Sequence, residues 1–279
     1  MEKSDNLISI NGEKNIPAWT KIDYIYGSYR PVSNSIKKSI LSIFDWHNGT
    51  IFIWSHIVAS CVVIVDWMNY LFYHMHNYKA MEKIVMNLFY FSAFQTFLAS
   101  ASYHIIKNHS EKYYEISLKI DILSLLFCGG SNFISTYAYL FNNSSFWMSF
   151  FTIGTGIVFI PLPIFYLKIY KIKDKTTTRI HKTILALLII SQVSPYIYFR
   201  LSVPQNTCTQ DVEIVKKYIN ECFILTILTI AFYIIEPPER FFPGKFDMFF
   251  NSHQIVHILS ILIYQFSAAV LYTLQQYCA

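Results

Sequence analysis

The stretch FNSHQIVHILSILIYQFSAAVLY, residues Phe250–Tyr272, decides the class of molecule. It carries no charged side chain. A helix needs roughly 20 residues, at about 1.5 Å rise each, to cross a hydrocarbon core of about 30 Å, and this stretch supplies them. Its first turns nevertheless hold His253 and His257. At i, i+4 spacing both rings leave one face of a helix. Polar groups inside an apolar span are costly, so a pair kept on one face points to a function.

Working outward, six more windows of this kind run approximately Ile51–Phe72, Ile84–Ile106, Ile116–Leu140, Phe146–Tyr170, Ile180–Phe199 and Tyr218–Ile235. Composition agrees: 54% of the 279 residues are apolar and only 14% charged, well below the charge of a water-soluble domain. Mean hydropathy is +0.36. The net charge of +5 is spread over short segments between apolar runs, which argues against a nucleic-acid partner. Cys61, Cys128, Cys208, Cys222 and Cys278 show no CxxC spacing, so neither a zinc ribbon nor a disulfide framework is implied. The first 50 residues lack the apolar core of a secretory leader, and the reading expects none to be cleaved.

Basic residues between spans set orientation. With the N-terminus in the cytosol, the inner side holds Lys3, Lys14, Lys21, Arg30, Lys37, Lys38, Lys107, Lys112, Lys168, Lys171, Lys173, Lys175, Arg179, Lys182, Arg240 and Lys245. The outer side holds Lys79, Lys83, Arg200, Lys216 and Lys217. The expectation is therefore an all-α, seven-helix bundle with a cytosolic N-terminus and an extracellular or lumenal C-terminus. That orientation excludes a rhodopsin-type receptor. Residues 1–50 form a cytosolic tail, residues 51–279 the membrane domain. Ile36, Ile40, Ile43 and Phe44 fall at helical spacing with Lys37 and Lys38 off the stripe, which predicts an amphipathic helix on the inner leaflet. The alternative is a plain N-terminal extension of the first span.

Span order then places the ionisable residues. His104 lies near the inner end of the second span, Asp121 near the inner start of the third, His253 and His257 at the start of the seventh. Ser100 lies one turn from His104. Three imidazoles with an open fourth position are the ligand set of a catalytic zinc, and a nearby carboxylate can orient or deprotonate a bound water. A lone histidine is more often a satisfied core residue than a ligand; the shared depth of all four groups favours the site. His56 and Asp66 read as helix–helix hydrogen bonders, whereas His47, His74, His76, His109 and His181 read as solvated. Asn142 and Asn143 begin glycosylation sequons on the outer side, Asn48 and Asn108 on the inner.

At these residues the chain resembles the progestin and adipoQ receptor family, in its adiponectin-receptor-like branch. The likeness is carried by Tyr24-Ile-Tyr-Gly-Ser-Tyr-Arg-Pro31, by Ser42-Ile-Phe-Asp-Trp-His-Asn-Gly-Thr50 with Ile53-Trp-Ser-His56, and by Ser100-Ala-Ser-Tyr-His104 with Asp121 following. Most specific is Pro238-Glu-Arg-Phe-Phe-Pro-Gly-Lys-Phe-Asp247 running into Asn251-Ser-His-Gln-Ile-Val-His257. The resemblance implies a seven-helix fold with the N-terminus inside. It also implies that His104, His253 and His257 bind Zn2+, with Asp121 touching the metal through water and Ser100 supporting it. Family members are described as receptors governing lipid metabolism, some with ceramidase activity, and are related to the alkaline ceramidases. One departure is visible: Gly49 stands where members commonly have an acidic residue.

Two functions follow. One is a zinc-dependent amidohydrolase acting on ceramide-like membrane lipids, with Asp121 holding a water and taking its proton. The other is a receptor for an unidentified extracellular ligand in which zinc only tethers helices. A zinc-homeostasis role is weaker, because transport wants binding groups across the whole membrane. In either case the chain is expected to be a multi-pass protein of the plasma membrane or an endomembrane.

Overall fold

Each apolar window in the described part of the chain is helical, and several helices extend beyond one end of their window. In this computed structural model, which describes residues 16–140, 145–169, 176 and 212–278, a short α1 (Ile36–Leu41) precedes α2 (Thr50–Asn69), α3 (Ala80–Ile106) and α4 (Glu111–Leu140). Then come α5 (Ser145–Phe159) and α6 (Pro161–Ile164), which continue into one span. Last are α7 (Val212–Ile235) and α8 (Ser252–Cys278). Helix α4 begins at Glu111, five residues before its apolar window, because Glu111, Lys112 and Glu115 suit a helix end at a membrane boundary although they fail a hydropathy test. Six helices among the described residues are long and apolar enough to cross a membrane. The window Ile180–Phe199, His181, Arg200, Cys208 and the sequons at Asn142 and Asn143 lie outside the described residues.

Helix α3 sits between α2 and α4, while α8 packs on α7 and also reaches α2 and α4. Val63 of α2, Tyr70 just after it, Met86 and Phe89 of α3, and Tyr264 and Leu271 of α8 form the centre. The rings of Phe89 and Tyr264 stack at 5.7 Å. Outward faces stay apolar, as with Val58, Phe91, Ile120 and Ile227. With lipid outside there is little hydrophobic force between helices, so close packing and interhelical hydrogen bonds must hold the bundle. The Tyr264 hydroxyl donates to Asp66 Oδ2 at 2.8 Å, joining α8 to α2. The Ser124 carbonyl of α4 accepts from Thr96 Oγ1 at 2.8 Å and Gln95 Nε2 at 3.1 Å of α3. Such bonds contribute about 0.6 to 1.7 kcal/mol each in membrane bundles. Gly129 of α4 faces the Phe159 ring, which a Cβ there would meet at 3.2 Å.

The N-terminal segment is a strap across one end of the bundle. Ser33 and Asn34 donate backbone N–H groups to the carbonyls of Asn108 and His109 at 2.9 and 3.1 Å. Tyr26 N–H donates to Asp247 Oδ1 at 3.0 Å, and Gly244 N–H donates to the Tyr24 carbonyl at 3.0 Å. Gly244 has φ of 77°, and a Cβ there would also meet the Tyr26 ring at 3.1 Å. The two most distinctive sequence segments are thus stitched to each other. Helix α1 shows Ile36 and Ile40 outward, as does Phe44 after it, and buries Ser39, whose hydroxyl donates to Asn108 Oδ1 at 3.0 Å. A 3-10 turn (Ser42–Phe44) and extended Asp45 separate it from α2, so it is not an extension of the first span.

Candidate metal centre

The entry to α8 is built to hold His253 and His257. Asn251 Oδ1 accepts from the Gln254 N–H at 3.0 Å, and Gln254 Oε1 accepts from the Phe250 N–H at 2.6 Å. Buried Glu239 accepts from the Ser252 N–H at 2.7 Å and from the Ser252 hydroxyl. First-turn donors have no partner inside their own helix, and a carboxylate there also meets the positive end of the helix dipole. Hydrogen bonds to a charged group contribute about 1.5 to 3 kcal/mol, so Glu239→Ala is expected to destabilise the protein by about 2 to 4 kcal/mol. Denaturant unfolding in detergent checks this, with Glu239→Gln retaining part of the stability; an unchanged midpoint in Glu239→Ala would refute the capping role.

His104 from the end of α3 meets both α8 histidines. Each of the three offers one ligand atom, and these atoms all lie within 4.8 Å of one another. Nitrogens at 2.0–2.1 Å around a tetrahedral ion stand roughly 3.4 Å apart, so small ring rotations bring the three onto one ion. Both ring nitrogens of His104 are buried with no hydrogen-bond partner. A desolvated, unpaired imidazole is costly, and a cation at the centre of the three removes that cost. The set fits a metal ion.

The surroundings prepare the set. The Phe52 ring lies 4.7, 5.0 and 5.2 Å from the rings of His104, His253 and His257. His257 Nδ1 meets Ser55 Oγ at 3.4 Å. The Ser55 proton is already given to the Phe52 carbonyl at 3.1 Å, and that carbonyl is itself a partner of His257. Both partners can only accept, so Nδ1 carries the proton and Nε2 keeps its lone pair for the cluster. His56 hydrogen-bonds Ser260 of α8 at 3.4 Å. It also does what sequence reading missed, stacking on His257 at 3.8 Å with 16° between planes.

Asp121 stands outside the three-histidine group. Its carboxyl has Ser100 as side-chain hydrogen-bond partner, and the Ser124 hydroxyl donates to its backbone carbonyl at 2.6 Å. The structure therefore brings His104, His253 and His257 together and pairs Asp121 with Ser100 beside them.

Three residues read as solvated or as orientation signals are buried under the strap. His47 is 1% exposed, against the expectation of a solvated loop histidine. Its Nδ1 accepts from the Gly49 N–H at 2.9 Å, so Nε2 carries the proton toward the Ser42 carbonyl at 3.1 Å. Burial, then the charge of Arg30, hold it down to about 3, so the ring is neutral. Arg30, 7% exposed, donates through its Nη2 to the His104 carbonyl and through Nη1 to the Ile105 carbonyl at 3.2 Å and Ser42 Oγ at 2.7 Å. Lys107, 9% exposed, places its ammonium 5.3 Å from the Phe52 centroid and 5.9 Å from that of Tyr103. The Tyr24–Pro31 stretch that carries the resemblance was the only signal in the sequence for Arg30; Lys107 had none.

The family model described as haemolysin-III related matches residues 44–267. The chain is 26% identical over 253 residues to the adiponectin receptor protein of Drosophila melanogaster, covering 89% of this chain and 55% of the relative. It is 24% identical over 259 residues to the ADIPOR-like receptor IZH2 of Saccharomyces cerevisiae, covering 88% of this chain and 78% of the relative. It is 23% identical over 256 residues to membrane progestin receptor alpha of Homo sapiens, covering 86% and 69%. The chain thus spans about half the length of the fly relative.

Proposed function

Because the chain belongs to the haemolysin-III-related family of multi-pass membrane proteins, we infer that it is a receptor-type protein of lipid metabolism whose His104, His253 and His257 hold zinc, and that it hydrolyses the amide of a ceramide-like lipid. The observation that carries this is the buried histidine set, with both nitrogens of His104 lacking any other partner. The relatives' names, adiponectin receptor and membrane progestin receptor, support the receptor half. When bound, zinc polarises a carbonyl and lowers the pKa of a coordinated water to about 7. Asp121 holds a water and takes its proton, and Ser100 fixes the carboxyl for that task. Phe52 and the strap keep bulk water from the inner end of the site.

General-base removal costs about 10²- to 10⁴-fold in rate. Asp121→Asn is therefore expected to cut sphingosine release from ceramide by purified protein by at least about 10²-fold with zinc retained. Equal activity in the variant would sink the mechanism.

A second reading gains from the packing, since α3 meets α8 far less than it meets α2 or α4. Zinc would then act as the tether between them, serving a receptor or zinc-homeostasis protein without hydrolysis. Zinc-loaded protein that releases no fatty acid under any lipid supply would select it.

A further inference from the structure

The strap encloses positive charge that nothing in the described protein neutralises. Arg30 and Lys107 are both more than nine-tenths buried, and neither has an ion pair among the described residues. Arg30 spends its donors on carbonyls and a hydroxyl, which leaves its charge uncompensated. The Lys107 ammonium makes no hydrogen bond among the described residues; it rests against the faces of Phe52 and Tyr103. The charges of Arg30 and Lys107 act on each other and both act on His47.

Two further features follow His47 in the chain. Asn48, 4% exposed, has a buried Nδ2 with no acceptor. Gly49 has no side chain; a Cβ there would lie 3.1 Å from the His47 ring and 3.6 Å from Arg30 Nη2. Its φ of −94° is open to any residue, so the backbone does not require glycine there. The His47 ring and the guanidinium both border this position.

A buried charge without a partner costs several kcal/mol unless it is neutralised or paired. Burial, then Arg30, lower Lys107 to about 7, so at neutral pH its ammonium is only partly formed and an anion would complete it. Arg30, an ammonium that the anion completes and a free amide donor match a phosphate group, with its two charges and several acceptor oxygens, better than a single-charged carboxylate.

We propose that Lys107, Arg30 and Asn48, beside Gly49, form a phosphate-binding subsite next to the histidine cluster. Helix α3 ends at Ile106, so the subsite lies at the membrane boundary, where a lipid headgroup or a free phosphate can supply the group. The subsite does not rest on the zinc reading. Lys107 reaches the three histidines electrostatically, and an anion here places charge beside whatever they hold.

The test uses full-length protein in phosphatidylcholine nanodiscs, with and without chelator, so that failure of the zinc reading and failure of this one are distinguishable. Phosphatidic acid and inorganic phosphate are the two probes, read by thermal midpoint and by lipid retention in native mass spectrometry. Wild type is expected to gain several degrees with phosphatidic acid, with or without metal. A response to phosphatidic acid alone assigns a lipid headgroup; a response to inorganic phosphate as well assigns the free group. Lys107→Met should weaken the response at least about tenfold in probe concentration, and Lys107→Arg should restore it. Gly49→Asp supplies the anion from the chain itself once the His47 ring yields a few tenths of an ångström. It should raise the probe-free midpoint and abolish the response. No response to either probe in wild type, or equal responses in Lys107→Met and Gly49→Asp, would overturn the subsite.

Discussion

Protein carrying His253→Ala is expected to purify without zinc. Wild type should hold about one ion per chain, and the variant less than about a tenth of that, because two imidazoles with a distorted third position bind zinc weakly. Even partners that merely orient a ligand cost about 10- to 100-fold in affinity when removed, so a ligand costs more. His104→Ala should behave alike, since its two nitrogens have no other partner. His56→Ala is the informative control. His56 stacks on His257 at 3.8 Å but is not in the set whose ligand atoms converge, so that variant should keep its zinc with a modest loss of affinity. Because metal binding adds its free energy to folding, wild type should also lose thermal stability on chelation while His253→Ala should not respond. Elemental analysis and thermal unfolding read both. Full zinc content in His253→Ala would remove the metal centre, and with it both readings of its role.

What the sequence shows of this molecule is what lipid enforces. A span must be apolar for about 20 residues because unpaired backbone cannot face hydrocarbon, so the six described spans were legible, with errors at their ends, as at Glu111 and past Tyr272. The histidine cluster was legible for a related reason. His253 and His257 are fixed on one face by helix geometry alone, and span order puts His104 at their depth. The strap was not legible. Arg30 and Lys107 count as ordinary boundary cations in any linear reading, because their burial arises from contacts such as Arg30 with His104, 74 residues away. His47 was misread for the same cause. The stacking of His56 on His257 depends on how α2 is rotated against α8. Helix α2 is apolar nearly all round, and its hydropathy carries no information about rotation.

The strap makes Arg30 the residue whose loss should do most harm without touching a ligand. Its Nη2 donates to the carbonyl of His104 itself and its Nη1 to that of Ile105, two of the carbonyls that the end of α3 leaves without intrahelical donors. A cation there also meets the negative end of the helix dipole. Through Ser42 Oγ the same guanidinium ties in the turn that follows α1. Burial lowers it only to about 10, so it is charged at neutral pH. Arg30→Ala would strand both carbonyls and detach the strap, and an expected loss of about 3 to 5 kcal/mol follows from breaking a buried charged network. Arg30→Lys keeps the charge but offers one point donor in place of a planar fork, so it should recover less than half. The loss should persist in chelator-treated protein, which separates it from the effect of His253→Ala. Hydrogen exchange should rise first at Ser33 and Asn34, whose N–H groups bond the loop after α3. A stable Arg30→Ala protein with unchanged exchange at those two amides would show that the strap holds without its guanidinium.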